Sequence, residues 1–124
     1  MPKITVVFFQ ESRQQPPALI EWLDGLPAKV QQKCLVRLKR LEDLGHELRR
    51  PEADYLRDGI YELRASHQGV HYRMLYFFHD RTVVVISHGI VKEQKVPSRE
   101  IDRAIRAKQA FETDPGAHTF RLGS

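Results

Sequence analysis

The apolar positions of this chain switch between two periods, and each switch marks an element. Residues 4–9 are β-branched and aromatic, which predicts a strand. A polar stretch runs to Gln15, and Pro16-Pro17 suits the first turn of a helix. Leu19, Ile20, Trp22, Leu23 and Leu26 form one apolar helical face that stops near Gly25. Pro27 opens a second helix. Its Val30, Cys34, Leu38, Leu41 and Leu44 recur every three or four residues as a single stripe, and Gly45 supplies a C-terminal stop. Lys29, Lys33, Arg37 and Arg40 share another face of that helix. The tight Gly-Leu-Pro link between the two predicts an antiparallel helical hairpin.

Beyond a polar connection containing Pro51, the pattern becomes that of strands, expected at about 54–57, 59–65, 70–78 and 82–91. Asp58-Gly59 is a tight hairpin signal, and Asp80-Arg81 suits a two-residue turn. Val83, Val84, Val85 and Ile86 are consecutive, which predicts a central strand covered on both faces. Pro97 starts a last helix with Ile101, Ala104, Ile105, Lys108 and Phe111 on one side, and Asp114-Pro115-Gly116 ends it. The first strand after the helices is short, and the expected order is β-α-α-β-β-β-α. This is an α+β domain over residues 1–112: a small twisted antiparallel sheet packed by an N-terminal helical hairpin, with a C-terminal helix. Residues 113–124 are expected to be a mobile tail.

Composition narrows the class without naming it. A length of 124 residues suits one domain, and 41% hydrophobic residues suffice for a core. The net charge of +4 permits a nucleic-acid partner but does not require one. The one cysteine, Cys34, cannot form an intramolecular disulfide and sits on an apolar stripe, so it reads as a buried thiol in a reducing compartment. The first apolar run is too short for a signal-peptide core, and none approaches the ~20 residues of a membrane span. The expectation is therefore a cytoplasmic protein with no membrane partner. The histidines show no metal-ligand spacing, and there is no Gly-rich phosphate loop, so no metal and no cofactor are expected.

Candidate chemistry begins with Arg64 and Arg73, each set among apolar and aromatic residues of a predicted strand. A charge there costs stability unless it is paired or used. The short connection through Gln68 places Arg64 roughly opposite residue 72 or 73. One reading is a two-arginine clamp for a phosphate. The other is a pair of arginines neutralised by Glu62, Asp58 or Asp80. His88 sits where a hydrophobic strand runs out, and Lys92 and Lys95 follow in the loop before the last helix. A lysine beside arginines gives up its proton more readily and can act as a general base. The competing reading is solvated loop lysines and a hydrogen-bonding histidine. His71 is placed to face the same site. Tyr61, Tyr72 and Tyr76 can stack on bases or simply fill the core.

The strings Leu56-Arg57-Asp58-Gly59-Ile60-Tyr61-Glu62-Leu63-Arg64, Tyr72-Arg73-Met74-Leu75-Tyr76-Phe77, His88-Gly89-Ile90-Val91-Lys92 and Val96-Pro97-Ser98-Arg99-Glu100-Ile101-Asp102-Arg103-Ala104 together resemble the RelE/HigB-type toxins of type II toxin–antitoxin systems. Within the RelE/ParE superfamily the resemblance is to the phage-derived HigB-like branch, over about residues 3–112. It implies the RelE-like fold and a ribosome-dependent mRNA endoribonuclease that works without a metal. In that chemistry a 2′-hydroxyl attacks the adjacent phosphate, leaving a 2′,3′-cyclic phosphate and a 5′-hydroxyl. Arg73 resembles the family's transition-state arginine, and Arg64 resembles its phosphate-holding strand residue. Lys92 and Lys95 fall where members place further catalytic or ribosome-binding cations. Residues 97–112 contain no tyrosine, and the tail offers only Asp114 and His118. The candidates for acid and base are therefore His88, Tyr61 and Lys95.

The resemblance also implies partners. These are a small antitoxin, a helix-turn-helix protein of the HigA-like kind, the ribosome with its mRNA, and operator DNA only through the antitoxin complex. Arg57, His71, Lys29, Lys33 and Arg37 join Lys92 as candidate RNA or ribosome contacts. Two alternatives stand beside the ribonuclease: a non-enzymatic DNA gyrase poison like ParE, and an inactive binding partner of an antitoxin.

Overall fold

The computed structural model describes residues 4–91 and 94–122. Strand β1 (Thr5–Phe9) leads to helices α1 (Ala18–Asp24) and α2 (Ala28–Leu44), and a 3-10 turn follows at Gly45–Glu47. Strands β2 (Ala53–Arg57), β3 (Ile60–His67), β4 (Val70–His79) and β5 (Val83–Val91) come next, then α3 (Ser98–Thr113), a four-residue α4 (Pro115–His118) and a two-residue β6 (Thr119–Phe120). The six-stranded sheet has the order β2-β3-β4-β5-β1-β6. It is an α+β architecture, as the patterning predicts, compatible with a small RelE-like fold.

Turn chemistry sets the register. Asp58 and Gly59 both take positive φ, at 51° and 83°, and Gln68 and Gly69 do so at 52° and 79°. Paired left-handed residues give the tight turn whose twist matches antiparallel strands. The Gln68-Gly69 turn aligns Tyr72 with Ala65 and Arg73 with Arg64. The sheet is mostly antiparallel, as expected, and departs from it at one place: β1 pairs with β5 in parallel, from Thr5↔Val83 to Phe8↔Ile86. The reason is burial. The consecutive apolar run of β5 needs a neighbour on each side, and β1 has the matching two-faced apolar character.

The sheet carries a core on each face. On one face the α2 stripe of Val30, Cys34, Leu38 and Leu41 joins Leu19 and Leu23 of α1 over Leu63, Met74, Tyr76 and Ile86. Burial pushes the Cys34 thiol up to about 11, so it behaves as a small apolar side chain. On the other face α3 lays Ile101, Ala104, Ala107 and Phe111 on Ile60, Leu75, Phe77 and Val85. Trp22 of α1 lies against β5 at Gly89, where a Cβ would come within 2.3 Å of the indole. That close approach explains a glycine inside a strand.

The chain after α3, expected as a tail, is instead docked. Gln10 N–H donates to the His118 carbonyl at 3.0 Å, and His118 Nδ1 lies 2.8 Å from the Gln10 carbonyl. The His118 ring stacks on Phe9 with centroids 5.2 Å apart, and β6 pairs antiparallel with β1. The outer edge of β1 would otherwise present unpaired backbone groups, and β6 satisfies part of it. Among the described residues no helix is long and apolar enough to cross a membrane.

Candidate functional site

Arg64 and Arg73 are direct partners on adjacent strands, so their side chains leave the sheet on the same face. That face is the one α3 covers further along, since Leu75 and Phe77 share it by alternation. Two like charges opposite each other repel, and a carboxylate resolves the conflict. Glu62 lies two residues before Arg64, on the diagonal to Arg73. Its Oε1 takes Arg64 Nε at 2.6 Å and Arg73 Nη1 at 3.4 Å. Glu62 is 2% exposed and Arg73 8% exposed, so both charges are withdrawn from water. Among the described residues the Arg73 Nε–H finds no acceptor. A buried donor left in that condition costs about 1–3 kcal/mol, which a site for an anion would explain.

The ion pairs continue outward. Arg64 Nη2 lies 3.3 Å from Asp54 Oδ2, which Arg50 Nε also meets at 3.0 Å. Burial alone would raise the Asp54 carboxyl, but the hydrogen bond and charge of Arg50, the Tyr55 N–H and Arg64 together hold it below its usual range. The backbone of Arg64 is fixed from both sides. Its N–H donates to the Glu52 carbonyl at 2.7 Å, and Arg37 Nε donates to its carbonyl at 2.8 Å. Glu52 in turn pairs with Arg37 at 2.6 Å and Arg40 at 2.9 Å, and the Arg40 hydrogen bond is the main reason its carboxyl sits low. Helix α2 therefore anchors one arginine of the pair from across the strand.

The other sequence candidates scatter around this pair. His71 shares its face and lies 3.0 Å from Ser66 Oγ through Nδ1. Tyr61 does not join it; it points to the opposite face, stacked on Tyr76 and edge-on to Phe78. His88, expected at the rim of the sheet, is 1% exposed beneath α3. Its Nδ1 lies 2.8 Å from Ser87 Oγ and its Nε2 3.0 Å from Glu100 Oε1. Arg57 is engaged in pinning α3, through Ser98 Oγ at 3.0 Å and Asp102 at 2.8 Å. Lys29 and Lys33 lie exposed on α2, with Lys33 Nζ 3.1 Å from the Ser66 carbonyl. Lys95 is exposed just before α3, and Lys92 lies outside the described residues. Patterning passed over Asp54 and Glu52, and offered Glu62 only as a carboxylate that neutralises the arginines. The signal for Glu62 was present: alternation puts it on the face of Arg64, two residues away.

Burial is the largest influence on His88 and lowers it to about 4, helped by the charge of Arg103 and opposed by Glu100. The sign of its linkage follows. The unfolded chain takes up this proton near pH 6.5 and the folded one only near 4, so stability is full above about 6.5 and falls as pH drops toward 4. The loss is on the order of 3 kcal/mol. Urea unfolding of the wild type and His88→Gln between pH 7 and 4 measures it. The wild type should weaken markedly more than the variant, and parallel curves would show that His88 is not the group responsible.

A mostly antiparallel six-stranded sheet with helices on both faces is compatible with a small RelE-like fold, and it sets Arg64 beside Arg73. The chain belongs to the phage derived protein Gp49-like family, whose model matches residues 21–109, and that family is toxin-like. The match covers α2 through β5 and most of α3, the elements that carry Arg64, Arg73 and Glu62. No curated protein matches the chain.

Proposed function

We propose that this chain is the toxin of a type II toxin–antitoxin module, of the phage-derived HigB-like kind, and that it cleaves mRNA on the ribosome. The observation that carries the reading is the register pair Arg64↔Arg73, with an Arg73 donor buried and without an acceptor among the described residues. A scissile phosphate lying over this pair would take both guanidiniums, the forked donors suited to phosphate oxygens. The 2′-oxygen forms a bond to phosphorus, the bond to the 5′-oxygen breaks, and the products are a 2′,3′-cyclic phosphate and a 5′-hydroxyl. Positive charge for the phosphorane comes from the two arginines, so the step needs no metal. Glu62, in contact with both, would accept the 2′-hydroxyl proton, and His71, on the same face, would return one to the leaving oxygen. Tyr61 and His88, facing away or buried, are set aside as acid and base. Lys29, Lys33, Lys92 and Lys95 are kept for RNA and ribosomal contact, and an antitoxin of the helix-turn-helix, HigA-like kind would mask the basic face.

A second reading has its own support. Glu62 and Asp54 already occupy both arginines, which favours a non-enzymatic toxin such as a ParE-like gyrase poison. Incorporation of labelled amino acid and labelled thymidine after induction separates the two. Early loss of amino-acid incorporation with thymidine continuing supports the ribonuclease, and the reverse supports the gyrase poison.

A further inference from the structure

We propose a second nucleotide subsite at the β2 edge of the sheet, where a base of single-stranded RNA stacks on Tyr55 and its phosphate meets Arg49. It rests on the ribonuclease reading above and extends it by naming where the next part of the strand is held. A concavity of about 420 Å³ opens there, lined by His46, Arg49, Arg50, Asp54, Tyr55 and Tyr61. Tyr55 is 53% exposed, a large ring on an edge strand that the core does not cover. Its ring meets Tyr61 edge-on at 5.0 Å, and His46 stacks on Phe78 at 3.7 Å, so the wall behind it is built of packed rings. A flat platform of this kind accepts any base, since every base has a π face.

The charges complement an RNA strand. Arg49 is exposed and makes no ion pair among the described residues. Arg50 binds Asp54, which also meets Arg64. Asp54 thus lines this concavity and also belongs to the ion-pair chain that ends at Arg73, while Tyr55, in register with Tyr61, faces away from the arginines, so a strand held by both sites crosses the outer edge of β2. Asp54 faces Glu62 on β3, and Arg64 faces Arg73 on β4, so a line of charged side chains runs from the edge of β2 to the pair. Tyr55 has a structural duty too, since its hydroxyl accepts the Gly59 N–H at 3.0 Å. That duty uses the oxygen, and the residue as a whole stays half exposed.

The test is binding of a fluorescein-labelled 2′-O-methyl oligoadenylate, which cannot be cleaved, followed by anisotropy at several salt concentrations. Tyr55→Ala should weaken binding about tenfold with the salt slope unchanged. Tyr55→Phe should bind within about twofold of the wild type, because the ring is kept. Arg49→Ala should reduce the salt slope by about one. Wild-type affinity in Tyr55→Ala overturns the subsite, as does an equal loss in Tyr55→Phe, which would assign the effect to the Gly59 turn. Absence of binding by the wild type also overturns it. Translation arrest by the wild type judges the ribonuclease reading separately, so the subsite can fail while that reading stands.

Discussion

Arg73→Ala should abolish growth arrest and lower mRNA cleavage by about two to three orders of magnitude, the usual effect of deleting one donor that stabilises a developing oxyanion. The side chain sits 8% exposed with its Nε donor unmatched among the described residues, and its Nη1 lies 3.4 Å from Glu62. Its removal leaves Glu62 still bound to Arg64 at 2.6 Å, so the carboxylate keeps a cation. The expected stability loss is about 1–3 kcal/mol, a few degrees in melting temperature for a chain of this size. Loss of activity should therefore far exceed loss of fold. Arg73→Lys keeps a charge but not the fork, and should recover only a small part of the activity. Full growth arrest by a folded Arg73→Ala protein would remove Arg73 from the site.

Glu62 carries the second large expectation, and it splits by substitution. Glu62→Ala leaves Arg64 and Arg73 facing each other without the carboxylate between them. Breaking a buried pair in this way costs about 3–5 kcal/mol, a large share of the ~5–15 kcal/mol that holds a small domain together. Calorimetry or urea unfolding should show that loss directly. Glu62→Gln keeps the shape and an acceptor, so it should fold, yet cleavage should fall about 10²- to 10⁴-fold if this carboxylate takes the 2′-hydroxyl proton. Wild-type cleavage by Glu62→Gln would leave Glu62 as a charge spacer and reopen the choice of base.

Local chemistry made much of this legible. The α2 stripe is visible as a spacing of apolar residues, and four of its members, Val30, Cys34, Leu38 and Leu41, are buried. Gln68-Gly69 forms the turn that sets Arg64 against Arg73, so counting outward from it reached the central pair. What stayed hidden depended on contacts distant in sequence. Nothing local to β1 or β5 announces their parallel pairing, which arises only when the chain returns after its helices and hairpins. Phe120 and His118 look like tail residues until Phe8 and Phe9 are beside them. His88 reads as a strand-end histidine because the helix that covers it comes ten residues later. Glu62 was legible as a partner of the arginines but not as a buried group: a glutamate in a strand is ordinarily solvated, and its burial follows from two arginines converging on it.

The central claim is that this face of the sheet cuts translated mRNA. Primer extension on cellular messages shortly after induction, with the wild type and Arg73→Ala in parallel, tests it most directly. New 5′ ends inside translated codons should arise with the wild type and be absent with the variant. Growth arrest by the wild type without any such ends would contradict the account.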